Sequence, residues 1–154
     1  MTETGQQAPA RVMIPAVTPD VYEALVGLTQ AGADGLDPIV AELVKVRASQ
    51  INACPFCLDM HAKTARADGV TQEQLDVLAA WRETPFFDER QRAALALCEA
   101  VTLIADDRVP DDVYAAAAAV YEDIELARLL TTIIAINAWN RLGISTGMQP
   151  APRA

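Results

Sequence analysis

Three possible helix caps, each followed directly by proline, divide the first sixty residues of the chain into short pieces. They are Thr18-Pro19, Asp37-Pro38 and Cys54-Pro55. Proline has a fixed φ and no backbone N–H, so it is favoured at the first position of a helix and excluded from its interior. Each pair therefore predicts a helix start, and none of these helices can continue into the next one.

Later signals predict four further helices. They are a capping box at Thr71-Gln72-Glu73-Gln74, a start at Asp88-Glu89-Arg90-Gln91 with an end near Ala105, a start at Pro110, and a long last helix capped by Asp123 that runs from Ile124 to about Ser145. No segment alternates with period two for long enough to be a strand. The sequence predicts one all-α domain of about seven helices at 18–147, with an N-terminal arm or tail at 1–17 and a C-terminal tail at 148–154.

The charge of the chain argues against two kinds of partner. The net charge is −9, and the 12 basic residues form no run, so neither a nucleic acid nor an anionic membrane is expected. The longest uncharged apolar stretch near the C-terminus, Leu129 to Asn140, is too short to span a bilayer. Because 52% of this acidic chain is hydrophobic, we expect some apolar surface to contact other subunits in a homo-oligomer.

The first residues and the cysteine count predict a compartment. Residues 1–12 offer neither a basic region nor an apolar core of the kind found in a signal peptide. Three cysteines, two of them close together, favour redox or metal chemistry over a structural disulfide framework. We therefore expect a cytoplasmic protein.

The candidate site is the stretch around Cys54-Pro55-Phe56-Cys57, which has the single histidine, His61, four residues further on. On a helix that begins at Pro55, Cys54, Cys57 and His61 fall on one face, and His61 lies one turn from Cys57. Helix-terminal N–H groups and an imidazole near the sulfurs would lower the pKa of at least one thiol. A disulfide between the two cysteines would be local and easily formed.

We consider four interpretations of the Cys-x-x-Cys pair. A zinc site would need Cys54, Cys57, His61 and a carboxylate such as Glu42, which matches structural zinc sites poorly, so a redox pair is favoured. A thioredoxin-like protein is excluded because the thioredoxin motif follows a strand and this sequence has no strand signals. Two buried, inert cysteines are the plainest alternative, but a helix start and a nearby histidine weaken it.

Glu42 alone would be unremarkable. Lys45 and Arg47 beside it predict a solvated, charged face for its helix.

The spacing Glu42, eleven residues, Cys54-Pro55-Phe56-Cys57, three residues, His61 resembles the E-x11-C-x-x-C-x3-H pattern of AhpD-like alkylhydroperoxidases. These belong to the carboxymuconolactone decarboxylase superfamily. The resemblance covers roughly residues 20–147, including the segments Arg47–Asn52 and Ile136–Arg141. Some AhpD proteins have a histidine where this chain has Phe56, which predicts a simpler proton relay.

The resemblance implies an all-helical trimer or hexamer that reduces alkyl hydroperoxides. Carried onto this sequence, Cys57 is the peroxidatic thiolate and Cys54 the resolving cysteine, with Glu42 and His61 relaying protons. The reductant would be a dithiol or a lipoyl protein, and no metal or organic cofactor is required. We expect Cys54, at the helix cap, to be the sulfur more open to that reductant.

Two alternatives stay open. One is a non-catalytic thiol redox sensor or zinc-binding protein. The other is a lactone decarboxylase, which the cysteine pair disfavours because decarboxylase members of the superfamily lack it.

Residues outside this site are predicted to be structural. Cys98 lies in an apolar helical stripe and is expected to be core packing. Asn137, Asn140 and Arg141 interrupt an apolar helix and should hydrogen-bond between helices or subunits. Trp81 and Trp139 are expected in the core or at an interface.

Overall fold

The computed structural model describes residues 10–152, and all regular structure within that range is helical. Nine α-helices are separated by short connections, and a 3-10 helix at Leu78–Glu83 follows α5. The α-helices are α1 Ile14–Val17, α2 Pro19–Ala33, α3 Pro38–Ile51, α4 Pro55–Ala67, α5 Gln72–Val77, α6 Glu89–Thr102, α7 Ile104–Asp107, α8 Asp111–Ala118 and α9 Asp123–Thr146. The all-α prediction is confirmed.

The three proline signals all mark helix starts. The side chain of Asp37 accepts hydrogen bonds from the N–H groups of Ile39 and Val40, at 2.8 and 3.3 Å, and Cys54 caps α4 in the same manner. Thr18 occupies the cap position of α2 without capping it. Its hydroxyl donates instead to the carbonyl of Ile14, because a helical turn, α1, directly precedes it.

The helix count exceeds the predicted seven because α1 forms within the segment predicted to be an arm or tail and because two predicted helices are interrupted. The fourth ends as an α-helix at Val77 and continues as the 3-10 helix, in which Ala80 is non-helical (φ −116°, ψ 28°) and Trp81 is buried. The fifth ends at Thr102, not near Ala105, because Leu103 leaves helical geometry before α7 begins. The last helix is capped by Glu122 and not by Asp123.

Helix α3 is the centre of the fold. Nine of its 14 residues are buried, and it packs against α4, α6 and α9. One apolar cluster joins α3 to α6, α8 and α9, and a second joins it to α4, α6 and the 3-10 helix. The prediction of a solvated face for α3 is therefore wrong, and Glu42 lies on the most enclosed helix of the domain.

The ends of the described chain are held against α9. The guanidinium of Arg11 donates to the carbonyls of Ile144 and Ser145, at 3.2 and 2.8 Å. Gly147 closes α9 in the left-handed conformation (φ 72°), and Met148 N–H donates to the carbonyl of Gly143 at 2.9 Å. The remainder of the predicted arm and tail, residues 1–9 and 153–154, lies outside the described residues. None of the helices within 10–152 combines the length and the apolar character needed to cross a membrane.

Candidate active site

The cysteine pair forms the first turn of α4. Ala53, just before it, has a left-handed conformation (φ 54°), which reverses the chain so that Cys54 N–H donates to the carbonyl of Ser49. Cys54 and Cys57 are joined by a disulfide, with Cα atoms 5.4 Å apart. The Sγ of Cys54 also accepts a hydrogen bond from Cys57 N–H at 3.3 Å. The predicted cap and the predicted local disulfide are both present.

The two sulfurs differ in their surroundings. Cys57 is 2% exposed and forms part of the wall of a cavity, whereas Cys54 is 0% exposed and is absent from that wall. Helix α9 passes close to Cys54, because a Cβ placed on Gly143 would lie 3.3 Å from its Sγ. The expectation that Cys54 is the more open sulfur is therefore wrong: the cap position is enclosed by another helix.

Glu42 connects His61 to a second basic group. His61 Nδ1 lies 3.0 Å from Oε2 of Glu42, and Lys45 Nζ lies 2.7 Å from Oε1. Their side chains are between 5% and 12% exposed. Burial alone would raise the pKa of Glu42, but the hydrogen bonds from His61 and Lys45 and the charge of Lys45 outweigh it, so the pKa lies below its ordinary value.

The ionised carboxylate fixes the state of the imidazole. A carboxylate can only accept hydrogen bonds, so the contact requires a proton on Nδ1 of His61. In the neutral ring this leaves Nε2 as the atom that can accept a proton. His61 lines the same cavity as Cys57 and lies one helical turn from it, so the ring is suited to act as base for the reduced thiol.

The cavity beside Cys57 is predominantly apolar and has a volume of about 260 Å³. Helix α2 supplies one side, α4 the second, and α9 with the residue after its cap the third. An edge-to-face contact between Tyr22 and Trp139, with centroids 5.2 Å apart, joins two of these sides. Trp139 Nε1 also donates to Thr29 Oγ1 at 2.7 Å. The lining residues are Tyr22, Val26, Thr29, Gln30, Phe56, Cys57, Met60, His61, Trp139 and Met148.

A buried amide network fastens the segment before Cys54 to α9. Asn52 Nδ2 donates to Oδ1 of Asn137 and of Asn140, each at 2.9 Å. Asn140 in turn donates to Ser49 Oγ at 3.0 Å, and Arg141 donates to Oδ1 of Asn137 at 2.9 Å. The predicted hydrogen bonding between helices is confirmed for Asn137 and Asn140, whereas Arg141 donates to Asn137 on its own helix.

Cys98 is separate from the site. Its thiol is fully buried in the core and donates to the carbonyl of Val44 at 3.2 Å, and burial raises its pKa to about 12. The prediction that Cys98 is core packing is confirmed. Trp81 is buried as well, with Nε1 donating to Glu99 at 2.9 Å.

Several residues around the site were not found from the sequence. Lys45 was assigned to a solvated face, although its position three residues after Glu42 was a signal that the two side chains can pair. Tyr22 gave no local signal, and Met148 lies in the segment predicted to be a tail. Trp139 packs against the core cluster as predicted, and it also lines the cavity, which the sequence does not indicate.

The range of the sequence that carries this geometry matches a known family. A family model described as the carboxymuconolactone decarboxylase family matches residues 19–100. The chain belongs to this family. The matched range contains Glu42, both cysteines of the pair and His61, whereas α9 lies beyond it.

Two bacterial proteins resemble the chain over nearly three quarters of its length. The uncharacterized protein YdfG of Bacillus subtilis is 41% identical over 112 residues, 73% of this chain and 76% of its own. The uncharacterized protein YnjA of Escherichia coli is 31% identical over 112 residues, 72% of this chain and 60% of its own.

A crystal structure from Agrobacterium tumefaciens superposes with a TM-score of 0.88 and 34% identity, covering 94% of this chain and all of that one. That protein is described as of unknown function, with a suggested assignment as the antioxidant defence protein AhpD. The AhpD-like fold is thus shown.

Proposed function

We propose that this protein is a thiol-dependent alkyl hydroperoxide reductase. The observation that carries the proposal is the position of Cys57: it is the cysteine of the pair that faces the apolar cavity, and it shares that wall with His61. The hydrogen bond between His61 and Glu42 supplies the orientation that a general base needs. The AhpD-like family membership supports the same chemistry.

In the reduced enzyme, His61 accepts the proton of the Cys57 thiol. The thiolate attacks the distal oxygen of the hydroperoxide, the O–O bond breaks, and an alcohol leaves with a proton returned by His61. Cys57 is now a sulfenic acid. The Cys54 thiol attacks the sulfenic sulfur, water leaves, and the disulfide forms. A dithiol or a lipoyl protein then reduces the disulfide and becomes a disulfide itself.

The character of the cavity supports an organic peroxide as the substrate. Its walls are mainly aliphatic and aromatic side chains, and its volume of about 260 Å³ accommodates an organic group. Hydrogen peroxide would gain little from such a wall. An alkyl or aryl hydroperoxide buries its apolar part there while its O–O group meets Cys57.

Steady-state reduction of an alkyl hydroperoxide, assayed with a panel of dithiols and accompanied by metal analysis, tests the proposal. The wild type should turn over, Cys57→Ser should not, and Cys98→Ser should retain turnover because serine keeps the donor to the carbonyl of Val44. Oxidation of Cys54 and Cys57 to the disulfide with negligible turnover of the peroxide would favour a redox sensor. Tightly bound stoichiometric zinc would favour a zinc-binding protein. Conversion of a carboxymuconolactone would favour a decarboxylase.

Among residues 10–152, no group of three or more His, Cys, Asp or Glu side chains is arranged to hold a metal ion.

Assembly into a trimer or hexamer belongs to the same proposal. Large apolar side chains are exposed on the isolated chain, among them Val21 and Leu28 on α2 and Ile124 and Ile134 on α9. Exposed apolar surface of this kind is typical of subunits that associate. Light scattering at micromolar concentration should give the mass of a trimer or hexamer, and a monodisperse monomer would contradict the proposal.

A further inference from the structure

The disulfide presents only one of its sulfurs to the cavity. Cys57 forms part of the cavity wall, and Cys54 is completely buried. The space beside Cys54 is taken by α9, since a Cβ on Gly143 would already be 3.3 Å from its Sγ. A reducing thiolate must contact one sulfur of a disulfide to open it. Access therefore favours attack at Cys57.

We propose that the reducing dithiol enters the same cavity as the peroxide and attacks Sγ of Cys57, with Cys54 as the leaving thiolate. The inference rests on the proposed function for the identity of the two substrates. It assigns the second half of the cycle to the same sulfur atom as the first. Cys54 then meets neither substrate directly.

The position of Cys54 also suits a leaving group. Its Sγ is the cap of α4 and accepts the N–H of Cys57 at 3.3 Å. A negative charge at a helix N-terminus is stabilised by that hydrogen bond and by the helix dipole. A thiol that is more acidic leaves faster in thiol–disulfide exchange, so opening the bond toward Cys54 is favoured by electronics as well as by access.

Reduction of the disulfide takes place in two exchange steps. One thiolate of the dithiol bonds to Cys57 while the bond between Cys57 and Cys54 breaks, and Cys54 leaves as a thiolate. The second thiolate of the dithiol then attacks the sulfur already bound to Cys57, closes an external disulfide and releases the Cys57 thiolate. The dithiol loses two electrons and two protons, and the enzyme disulfide gains them. A monothiol has no second sulfur with which to close an external disulfide. Cys54 therefore attacks Cys57 again, expels the monothiol and restores the original disulfide.

Because one monothiol molecule cannot close an external disulfide, the mixed disulfide persists until Cys54 reverses it and can be trapped in that interval. The oxidised full-length protein is mixed with 2-mercaptoethanol without peroxide, quenched with acid at successive times, unfolded, labelled with N-ethylmaleimide and digested with trypsin. Both cysteines lie in one peptide, residues 48–63, between Arg47 and the bond after Lys63. Fragment ions from cleavage before Pro55 separate the two sites.

When the distribution of the two labels is extrapolated to zero reaction time, 2-mercaptoethanol should be on Cys57 and the maleimide on Cys54. The reverse labelling would overturn the proposal. Because no peroxide is present, the result is independent of whether the protein turns over peroxide.

A second measurement decides the matter if the mixed disulfide is too short-lived to trap. Val26→Phe fills the cavity, whereas Val17→Phe makes the same change just before α2 at a side chain that is 65% exposed and outside the cavity wall. Reduction of the disulfide by dithiothreitol should slow by about tenfold or more in Val26→Phe and by less than about twofold in Val17→Phe. An unchanged rate in Val26→Phe would show that the reductant reaches the disulfide by another route.

Discussion

His61 Nδ1 lies 3.0 Å from Oε2 of Glu42, and this contact joins the cysteine helix α4 to the central helix α3. The carboxylate is buried and ionised, so it holds the ring in one tautomer and one orientation. The same carboxylate is held from its other side by Lys45. The imidazole beside Cys57 is therefore positioned by a helix that is itself fixed within two apolar clusters.

Glu42→Gln and His61→Ala should each slow the oxidation of Cys57 by an alkyl hydroperoxide by about 10²-fold near neutral pH, since each removes part of the group that accepts the thiol proton. The rate should partly recover at alkaline pH, where the thiolate forms unaided. Stopped-flow measurement of single-turnover oxidation across pH checks this. Glu73→Gln, at an exposed residue of α5, is the matched control and should be unaffected. A loss that is independent of pH would contradict the assigned roles.

Cys54→Ser should still consume about one equivalent of hydroperoxide and then stop as a sulfenic acid on Cys57, because the nucleophile survives and only its resolving partner is lost. A dimedone-type reagent followed by peptide mapping detects the product. Cys57→Ser should not react. Accumulation of sulfenic acid on Cys54 in the Cys57→Ser protein would reverse the assignment, and finding Cys98 in the main disulfide of the oxidised wild type would contradict it.

Lys45→Met should lower the free energy of unfolding by roughly 2 kcal/mol, because it leaves the buried carboxylate of Glu42 with one partner fewer. Chemical denaturation measures the change. Lys63→Met is the control: Lys63 pairs with Asp59 at 2.6 Å, but its side chain is 53% exposed, so the loss should be about 0.5 kcal/mol or less. Equal effects of the two variants would show that the buried Lys45–Glu42 pair contributes no more to the free energy of unfolding than the exposed Lys63–Asp59 pair.

Gly32→Ala and Gly27→Ala should change stability in opposite directions although both lie on α2. A Cβ at Gly32 would lie 3.0 Å from the backbone N of Thr132, so α2 and α9 must separate, at a cost of roughly 1–3 kcal/mol. A Cβ at Gly27 meets nothing within 4 Å, and alanine there should stabilise the helix by roughly 0.5–1 kcal/mol. Thermal unfolding of the two variants compares them directly. A stabilising Gly32→Ala would mean that the helices approach less closely than described.

Acid should destabilise the protein through two glutamates, the buried Glu42 and the partly buried Glu99. Burial opposes ionisation at both Glu42 and Glu99, but Lys45 and His61 at the first, and Arg82, Trp81 and Arg47 at the second, hold each pKa below the ordinary 4.5. A carboxyl whose pKa is lower in the folded state than in the unfolded state stabilises the protein at pH values above its unfolded-state pKa. That contribution is lost as the pH falls through the folded-state pKa. The free energy of unfolding should therefore decline below about pH 4.5.

Glu99→Gln should show a shallower decline than the wild type in denaturation experiments between pH 3 and 6. An identical slope in the two proteins would exclude Glu99 as a contributor.

Local signals in the sequence were enough to predict most of the fold. The cap–proline pairs and the capping box at Thr71 depend on neighbouring residues alone, and the structure has helix starts at each of them. The early end of α5 could not be predicted in this manner, since burial of Trp81 against Glu99, on another helix, accompanies it. Tertiary contacts therefore decided the helix boundaries that differ from the prediction.

The same distinction applies to the candidate site. The spacing of Cys57 and His61 on one helix, and their pattern with Glu42, indicated a set of residues that the structure brings together. The enclosure of Cys54 depends on Gly143 in α9, which no pattern around the cysteines could reveal. Lys45 was misassigned because a charge in a sequence does not say whether its partner lies in water or in the core.

The wall of the cavity and the Glu42–His61 pair behind it differ in how much of the fold depends on them. Glu42 lies among the buried residues of α3, so most changes there would harm folding and activity together. Helix α2 contributes Tyr22, Val26 and Thr29 to the cavity, yet its one buried residue is Gly32. Substitutions on α2 can therefore reshape what the cavity admits at little cost to folding. Under the proposed function, changes in α2 would alter which substrates the cavity admits while the chemistry of Cys57 and His61 stays unchanged.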